Sequence, residues 1–350
     1  MRENTHMEHF EDLLFESWGV ELLNAFQHDE VGFTRKWDGA PSIFFGCDIR
    51  GCWIARKGLF NKDAKKYYKR SDFDADPKFP EGLKESLWNT LVYLGNAYTG
   101  GVNKDTFIQG DLMFADGPNR GDFHPNTIKY TSTKVPESAR VGIVWHTAYV
   151  NDEIKYGARI KEHFKITDEL WMINAHDEVA QHTHFGDAIQ DLVGDHGTLA
   201  TYHNLSDEAK CVFKQYQNAL VRGDQVRSYN TGLIEYVFDC MAKKVESVSK
   251  DETKHKYMMK YKAIAVEFAA ASSLELHYSQ MTEVKMILVK YFNSLPTVYK
   301  TSLVTKQGTE IPCNHEGYAM FFKGSAAKLV DRQEFSKANF SDEYVKGWQS

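Results

Sequence analysis

The sequence predicts a mixed α+β protein, rich in antiparallel strands and interrupted by a large helical insertion. Three textures predict it. Between Val31 and about Val150, short apolar runs (SIFFG, CWIAR, TFIQGDLMF, VGIVWHTAYV) are separated by Gly, Asp, Asn and Pro turns, as short strands are. From about Lys161 to 299, apolar residues recur at helical spacing with few breakers. Strand texture then returns in SLVTKQGTEIPCNHEGYAMFFKG and AAKLVDRQEF. A chain that leaves a sheet and later rejoins it brings its late strands to the same place as its early ones. The expected division is therefore one mixed domain made of 1–160 and 300–350. Residues 161–299 are long enough to form a helical insertion subdomain of their own.

Taken in order, residues 7–28 carry Leu13, Leu14, Trp18, Leu22, Leu23 and Phe26 at helical spacing, which predicts an amphipathic opening helix. A second helix is expected around GLKESLWNTLVYLGNAY, between the strand runs. The insertion should hold helices at KITDELWMINAHDEV, DEAKCVFKQYQNALV, TGLIEYVFDCMAKKVESV and the stretch from Lys254 to Leu295. Thr167-Asp168 and Ser206-Asp207 offer N-cap chemistry at two of the starts. No internal repeat and no low-complexity segment is present.

Composition bounds the class. A chain of 350 residues can bury a sizeable core as one large domain or two ordinary ones. No apolar run approaches the ~20 residues of a membrane span, and the mixed, acidic start MRENTHMEHFEDLLFESW is unlike a secretion signal. The five cysteines are odd in number and lack CxxC pairs, which predicts reduced thiols in a cytoplasmic protein, with neither zinc ribbon nor disulfide frame. A net charge of −6 argues against a histone-like binder, yet it leaves room for a local basic groove. A monomer with no membrane association is expected.

One tetrapeptide, Lys36-Trp37-Asp38-Gly39, offers specific chemistry. It sits in VGFTRKWDGAPSIFFG, an apolar run broken by a Gly-Ala-Pro turn. A lysine amine attacks phosphorus only when unprotonated, so positive neighbours or desolvation must lower its pKa from about 10.4. Asp38 lies two residues on, the same side of an extended chain. Gly39 lets a ligand approach the backbone closely. A single lysine before a turn is ordinarily a solvated surface group, so the tetrapeptide draws its meaning from its company.

That company is ordered. Lys36-x-Asp38-Gly39 resembles motif I of the covalent nucleotidyltransferase superfamily, the polynucleotide ligases and mRNA capping enzymes. CWIARKG resembles motif Ia, where Arg56 or Lys57 would contact ribose or nucleic-acid backbone. FIQGDLMF resembles motif III, with Asp111 in place of the usual glutamate. GIVWHTAYV lies where motif IIIa supplies an aromatic for base stacking, here Trp145. HEGYAMFF matches motif IV with Glu316-Gly317, and AAKLVDR resembles motif V with Lys328. The similarity covers about 31–150 and 311–334. KWDGAPS, KGLFNKD and GDFHPNTIKYT also resemble segments of ligase-like proteins from tailed phages.

The resemblance implies an antiparallel-rich, ATP-grasp-like nucleotidyltransferase domain that adenylates Lys36. Asp38, Gly39, Arg56, Lys57, Asp111, Trp145, Glu316 and Lys328 would surround ATP. Asp111 and Glu316 would hold magnesium through oxygen ligands. The ion and Lys328 would offset charge building on the α-phosphate and keep the Lys36 amine neutral. The adenylate would then move to a 5′-phosphate, and a 3′-hydroxyl would displace AMP, sealing nicked or single-stranded ends of RNA or DNA. A phage-encoded enzyme would act in the host cytoplasm. A GTP-dependent capping-type guanylyltransferase and a catalytically idle nucleic-acid-binding protein of the same fold are the alternatives.

Three departures accompany the match. Ala40-Pro41-Ser42 follow Gly39, where motif I commonly carries an arginine. Motif V usually has K-x-K, whereas here only Lys328 fits, with Lys323 or Arg332 as substitutes. The residues after motif V leave no room for a C-terminal OB domain, which weakens the capping alternative most. Elsewhere, Lys243, Lys244, Lys250, Lys254, Lys256, Lys260 and Lys262 form a basic stretch with Tyr257 and Tyr261 interleaved. Its simpler reading is a solvated helix face, its sharper one a phosphate contact. His176, His182, His184, His196 and His203 are dense without ligand spacing and read as a polar loop. No GxxxxGK[ST] loop is present, which argues against a P-loop kinase or helicase.

Overall fold

Three β-sheets and a layer of helices make up the computed structural model, which describes residues 7–27, 31–103, 105–115, 121–151, 153–156, 160–178, 196–223 and 232–347. The first sheet has the order β1 (Glu8–His9), β14 (Ser325–Leu329), β13 (Gly317–Phe322), β2 (Gly32–Lys36). The second runs β10 (Leu170–Asn174), β8 (Val141–Val150), β5 (Thr106–Phe114), β3 (Ser42–Asp48), β4 (Gly51–Ala55), with β9 (Glu153–Tyr156) also on β8. The third is β12 (Glu310–Pro312), β11 (Lys300–Val304), β7 (Ile128–Thr131), β6 (Asp122–Phe123). All pairings are antiparallel except β1 with β14 and β10 with β8. The protein is thus a mixed α/β structure built on antiparallel sheets.

The strand runs sort their side chains as a period of two requires. In β3, Ile43, Phe45 and Cys47 face the helix α3 (Glu81–Ala97) and meet Leu87, Leu91 and Leu94, whereas Phe44 points the other way, toward Trp53 and Phe107. One face of the second sheet is therefore closed by a helix, and the other is covered in part by Leu59, Phe60 and Tyr68 over Phe44 and Trp53.

The remaining helices are α1 (Gly19–Gln27), α2 (Arg70–Asp74), α4 (His196–Leu199), α5 (Asp207–Arg222), α6 (Gly232–Glu246), α7 (Asp251–Ala270), α8 (Leu274–Ser294) and α9 (Arg332–Phe340). Ser206 caps α5 as expected, its hydroxyl accepting from the Ala209 amide at 3.2 Å. The layer does not keep a core to itself. Leu199, Phe213, Ile264, Met281 and Phe292 share one apolar cluster with Phe10, Leu13 and Phe33 near the N-terminus and with Tyr318, Met320 and Leu329 of β13 and β14. The helices seal the back of the first sheet.

Four local expectations are corrected. Residues 7–28 do not form one helix. Glu8–His9 pair with β14 opposite Ala327 and Lys328, Phe10–Phe15 follow as a tight 3₁₀ segment buried on all sides, and α1 begins at Gly19. KITDELWMINAHDEV does not form a helix either: Leu170–Asn174 run parallel to β8, and Thr167 bridges to Leu170 instead of capping. The second sheet thereby reaches past the boundary placed at 161. A five-residue apolar run suits a buried strand as well as a helix, and here pairing decides. AAKLVDRQEF stays extended only to Leu329, and the Asp331 carboxylate then accepts the Gln333 and Glu334 amides as α9 starts. Finally, Cys47 and Cys52 are not reduced thiols. They face each other across the β3–β4 hairpin, Cα atoms 3.9 Å apart, and form a disulfide, while Cys211, Cys240 and Cys313 are free. Among the described residues, no helix is long and apolar enough to cross a membrane.

Candidate active site

Lys36 ends β2, and its register partner is Gly317, the first residue of β13. Glu316 thus arrives beside it from a point 280 residues later, with Oε1 at 2.5 Å from Lys36 Nζ. Gly317 permits that approach. It has φ +147°, and a Cβ there would lie 2.3 Å from the Leu329 carbonyl oxygen, so any side chain would displace β14 or the Glu316 backbone. On β14, Lys328 sits between Ala319 and His9 in the ladder. The two sheets join at the turn after Gly39. The Ala40 amide donates to the Leu112 carbonyl and the Leu112 amide to Pro41, at 3.2 and 3.1 Å. Gly39 was expected to admit a ligand, yet its missing side chain serves packing: a Cβ would lie 2.5 Å from that of Asp111 and 2.9 Å from the Met113 sulfur.

Between the first and second sheets lies a cleft of about 1360 Å³, lined by Lys36, Asp38, Gly39, Arg56, Lys57, Asp111, Glu316 and Lys328. These are all the residues singled out for the site except Trp145. Trp145 is fully buried on the opposite face of β8. It stacks on Phe164 at 5.6 Å and donates its indole N–H to the Met172 sulfur at 3.3 Å. The space for its ring is Gly110, where a Cβ would come within 2.6 Å of the indole. Alternation along β8 turns Val144 and His146 to the cleft instead. His146 falls at a register shift between β5 and β8, with Nε2 3.9 Å from the Asp111 carboxylate. That bulge leaves no mark in the sequence, and His146 is the residue the motif comparison missed.

Asp38 also has a larger role than its spacing suggests. It is buried, and its carboxylate accepts from the Asn126 side chain at 2.7 Å and from the Thr127 and Ile128 amides at 2.8 Å each. Its own amide donates to the Tyr130 hydroxyl at 2.9 Å. The donors all lie in GDFHPNTIKYT, so that segment is what anchors the third sheet to the Lys36 strand. Asp38→Ala would strand two buried amides at roughly 1–3 kcal/mol each. It should therefore cost about 2–5 kcal/mol in chemical denaturation, and a loss below about 1 kcal/mol would show that the clamp is not needed.

On the reverse of the same strand pair, Arg35 is buried with no carboxylate partner among the described residues. Its Nη1 donates to Thr297 Oγ1 at 2.9 Å and lies 3.0 Å from His315 Nε2. Burial and the Arg35 charge push the His315 pKa down to about 3, so the imidazole is a neutral acceptor at ordinary pH. Arg35–His315 thus stitches behind the strands what Lys36–Glu316 joins in front.

The charges are not arranged as the sequence implied. Burial works against the Lys36 ammonium, but Glu316, Asp111 and Asp38 outweigh it and hold the pKa above the ordinary value. Among the protein's own groups the carboxylates therefore outweigh Lys328, and a neutral amine needs a further positive charge in the cleft. Burial raises Glu316 to about 7, with Lys36 opposing and Asp38 and Asp111 assisting. Burial and the Lys36 charge lower Lys328. Glu316 and Asp111 are hard oxygen donors in a site rich in carboxylates, which fits a divalent ion that takes its remaining ligands from phosphate and water. Among the described residues, no group of three or more His, Cys, Asp or Glu could hold an ion unaided.

Neither substitute for a second motif V lysine reaches the cleft. Arg332 donates to Tyr278 at 2.8 Å and Glu11 at 3.4 Å, and Lys323 pairs with Glu21 at 2.9 Å. The basic stretch on α6 and α7 is equally remote from the lining. Tyr261 is buried in the helical core and Tyr257 packs against it, so neither interleaves with the lysines as a stacking surface. His182 and His184 lie outside the described residues.

The α/β framework and its lysine-centred cleft therefore define a class by geometry. Residues 4–344 match a family described as a family of unknown function (DUF6267), and the chain belongs to it. No curated protein and no solved structure matches the chain.

Proposed function

We propose that this protein is an ATP-dependent polynucleotide ligase acting through a lysine–AMP intermediate on a nucleotidyltransferase-type fold. The observation that carries the reading is the convergence of Lys36, Glu316, Asp111 and Lys328 on one cleft from distant parts of the chain. In the first step Lys36 Nζ attacks the α-phosphorus of ATP. The N–P bond forms as the bond to pyrophosphate breaks; the ammonium gives up one proton to water before the attack and a second as the bond forms. Lys328 offsets negative charge on the phosphoryl oxygens, and Glu316 and Asp111 would hold a magnesium ion. That ion, when bound, supplies charge neutralisation at the phosphate. A 5′-phosphate oxygen then displaces Lys36 from the adenylate, and a 3′-hydroxyl displaces AMP. Arg56 and Lys57, on the cleft wall, suit contacts to ribose or backbone phosphate.

Incubation with α-labelled ATP or GTP and magnesium tests the reading. Label from ATP supports ligase chemistry, label from GTP supports the guanylyltransferase alternative, and none from either leaves only the idle binder. Nick sealing on matched RNA, DNA and hybrid duplexes then identifies the ends joined. The pH dependence has a definite sign. Glu316 is a neutral acid below about 7 and a carboxylate above it, and Lys36 must shed a proton held more tightly than usual. Labelling should therefore rise from pH 6 to pH 9, and a flat or falling profile would contradict these assignments.

A further inference from the structure

One stretch of chain, from Arg56 to Lys78, forms a cationic wall of the cleft, contributing Arg56, Lys57, Lys62, Lys65 and Lys78 to its lining. The chain as a whole carries a net charge of −6, so this concentration is local. The wall is built, not loose. Ile54 and Tyr67 exchange backbone bonds at 3.0 and 2.9 Å, tying the stretch to β4. Buried Asp76 accepts from Lys65 at 2.8 Å, the Tyr67 hydroxyl at 2.7 Å and the Lys78 amide at 3.0 Å. The Arg56 guanidinium lies over the Phe79 ring at 5.3 Å. Asp76 satisfies Lys65, but Arg56, Lys57, Lys62 and Lys78 are exposed and have no carboxylate within ion-pairing distance among the described residues. Asp63 is the only other acidic group this stretch adds to the lining.

None of these cations is among the groups that act most strongly on Lys36 or Lys328. The groups that act most strongly on Lys36 are Glu316, Asp111 and Asp38, and those on Lys328 include Lys36 and Glu316. A set of exposed, unneutralised cations along one cleft wall matches phosphates spaced along a polymer. We propose that Lys62 and Lys78, beyond the Arg56–Lys57 pair on this wall, bind the sugar–phosphate backbone of the strand being joined. The identity of that strand as substrate rests on the ligase reading.

The test uses fluorescence anisotropy of the full-length protein with a 5′-phosphorylated nicked duplex, without ATP. Lys62→Glu with Lys78→Glu should weaken binding roughly tenfold or more at about 50 mM salt and make the log–log salt slope shallower by about 2. Lys62→Gln with Lys78→Gln should move the same way by less. Lys290→Glu, an exposed reversal on α8 outside the cleft lining, should bind as wild type. Wild-type affinity in both paired variants, or an equal loss in Lys290→Glu, overturns the proposal. So does a paired variant that weakens ATP binding by calorimetry and leaves duplex affinity intact, which would assign the wall to a triphosphate. Melting curves establish that each variant is folded. Binding is read without turnover, so the two readings fail separately. Labelling with wall-independent binding removes the wall alone. Wall-dependent binding without labelling removes the ligase chemistry alone.

Discussion

Lys36→Ala, incubated with α-labelled ATP and magnesium, should carry no covalent nucleotide, and Lys36→Arg should be equally unlabelled because guanidinium does not deprotonate. The result is less automatic than it sounds, because Lys328 lines the same cleft and its charge and that of Lys36 act on one another. Lys328 has its pKa lowered by burial and by Lys36, whereas Lys36 is held protonated by Glu316. Judged by basicity alone, Lys328 is the better nucleophile. What favours Lys36 is that its charge is set by Glu316 and Asp111, the same groups that suit a divalent ion. A cation on those carboxylates would oppose the ammonium and drive its proton off. Peptide mapping of the wild-type adduct and labelling of Lys328→Ala separate the two. Label on Lys328, or persistent label in Lys36→Ala, would sink the assignment.

Lys285→Met should destabilise the protein by about 3–5 kcal/mol, because it leaves a buried carboxylate without its main partner. Lys285 on α8 and Glu11 after β1 are about 2% and 1% exposed and meet at 2.7 Å. Arg332 reaches Glu11 at only 3.4 Å and also serves Tyr278 and Asn218. Glu11→Gln combined with Lys285→Met removes both charges and should recover most of the loss. Urea denaturation of the two single variants and the double variant reads this directly. A Lys285→Met loss under about 1 kcal/mol, or simple additivity in the double, would show that the pair does not hold the helices to the first sheet.

Much of the framework could be read from residues alone, for a physical reason. Runs such as SIFFG and TFIQGDLMF are short, buried for most of their length and bounded by turn residues, so their extent survives in the sequence. Lys36, Glu316 and Lys328 were legible because each stands at or beside a strand end that fixes its direction, whereas Asp111 lies inside β5, paired on both sides, and was legible only through its motif. What escaped depends on partners distant in sequence. Leu170–Asn174 became a strand because β8 offered an edge, and Trp145 went inward because Gly110 left it room. Cys47 and Cys52 met because a tight hairpin set them opposite one another, in a spacing that no cysteine motif describes. Arg35 and His315 each look like unremarkable polar residues until β2 and β13 are paired.

The core shared between the helices and the first sheet bears on how such a chain can change over evolutionary time. The strand bearing Lys36 turns one face to the cleft and buries Phe33 with Phe292 at 4.9 Å between ring centres. The helical residues are therefore not a detachable accessory that recombination could exchange for another. A lineage that lost them would bare the underside of its own nucleophile-bearing strand, so this region can drift in sequence only while it continues to roof that sheet.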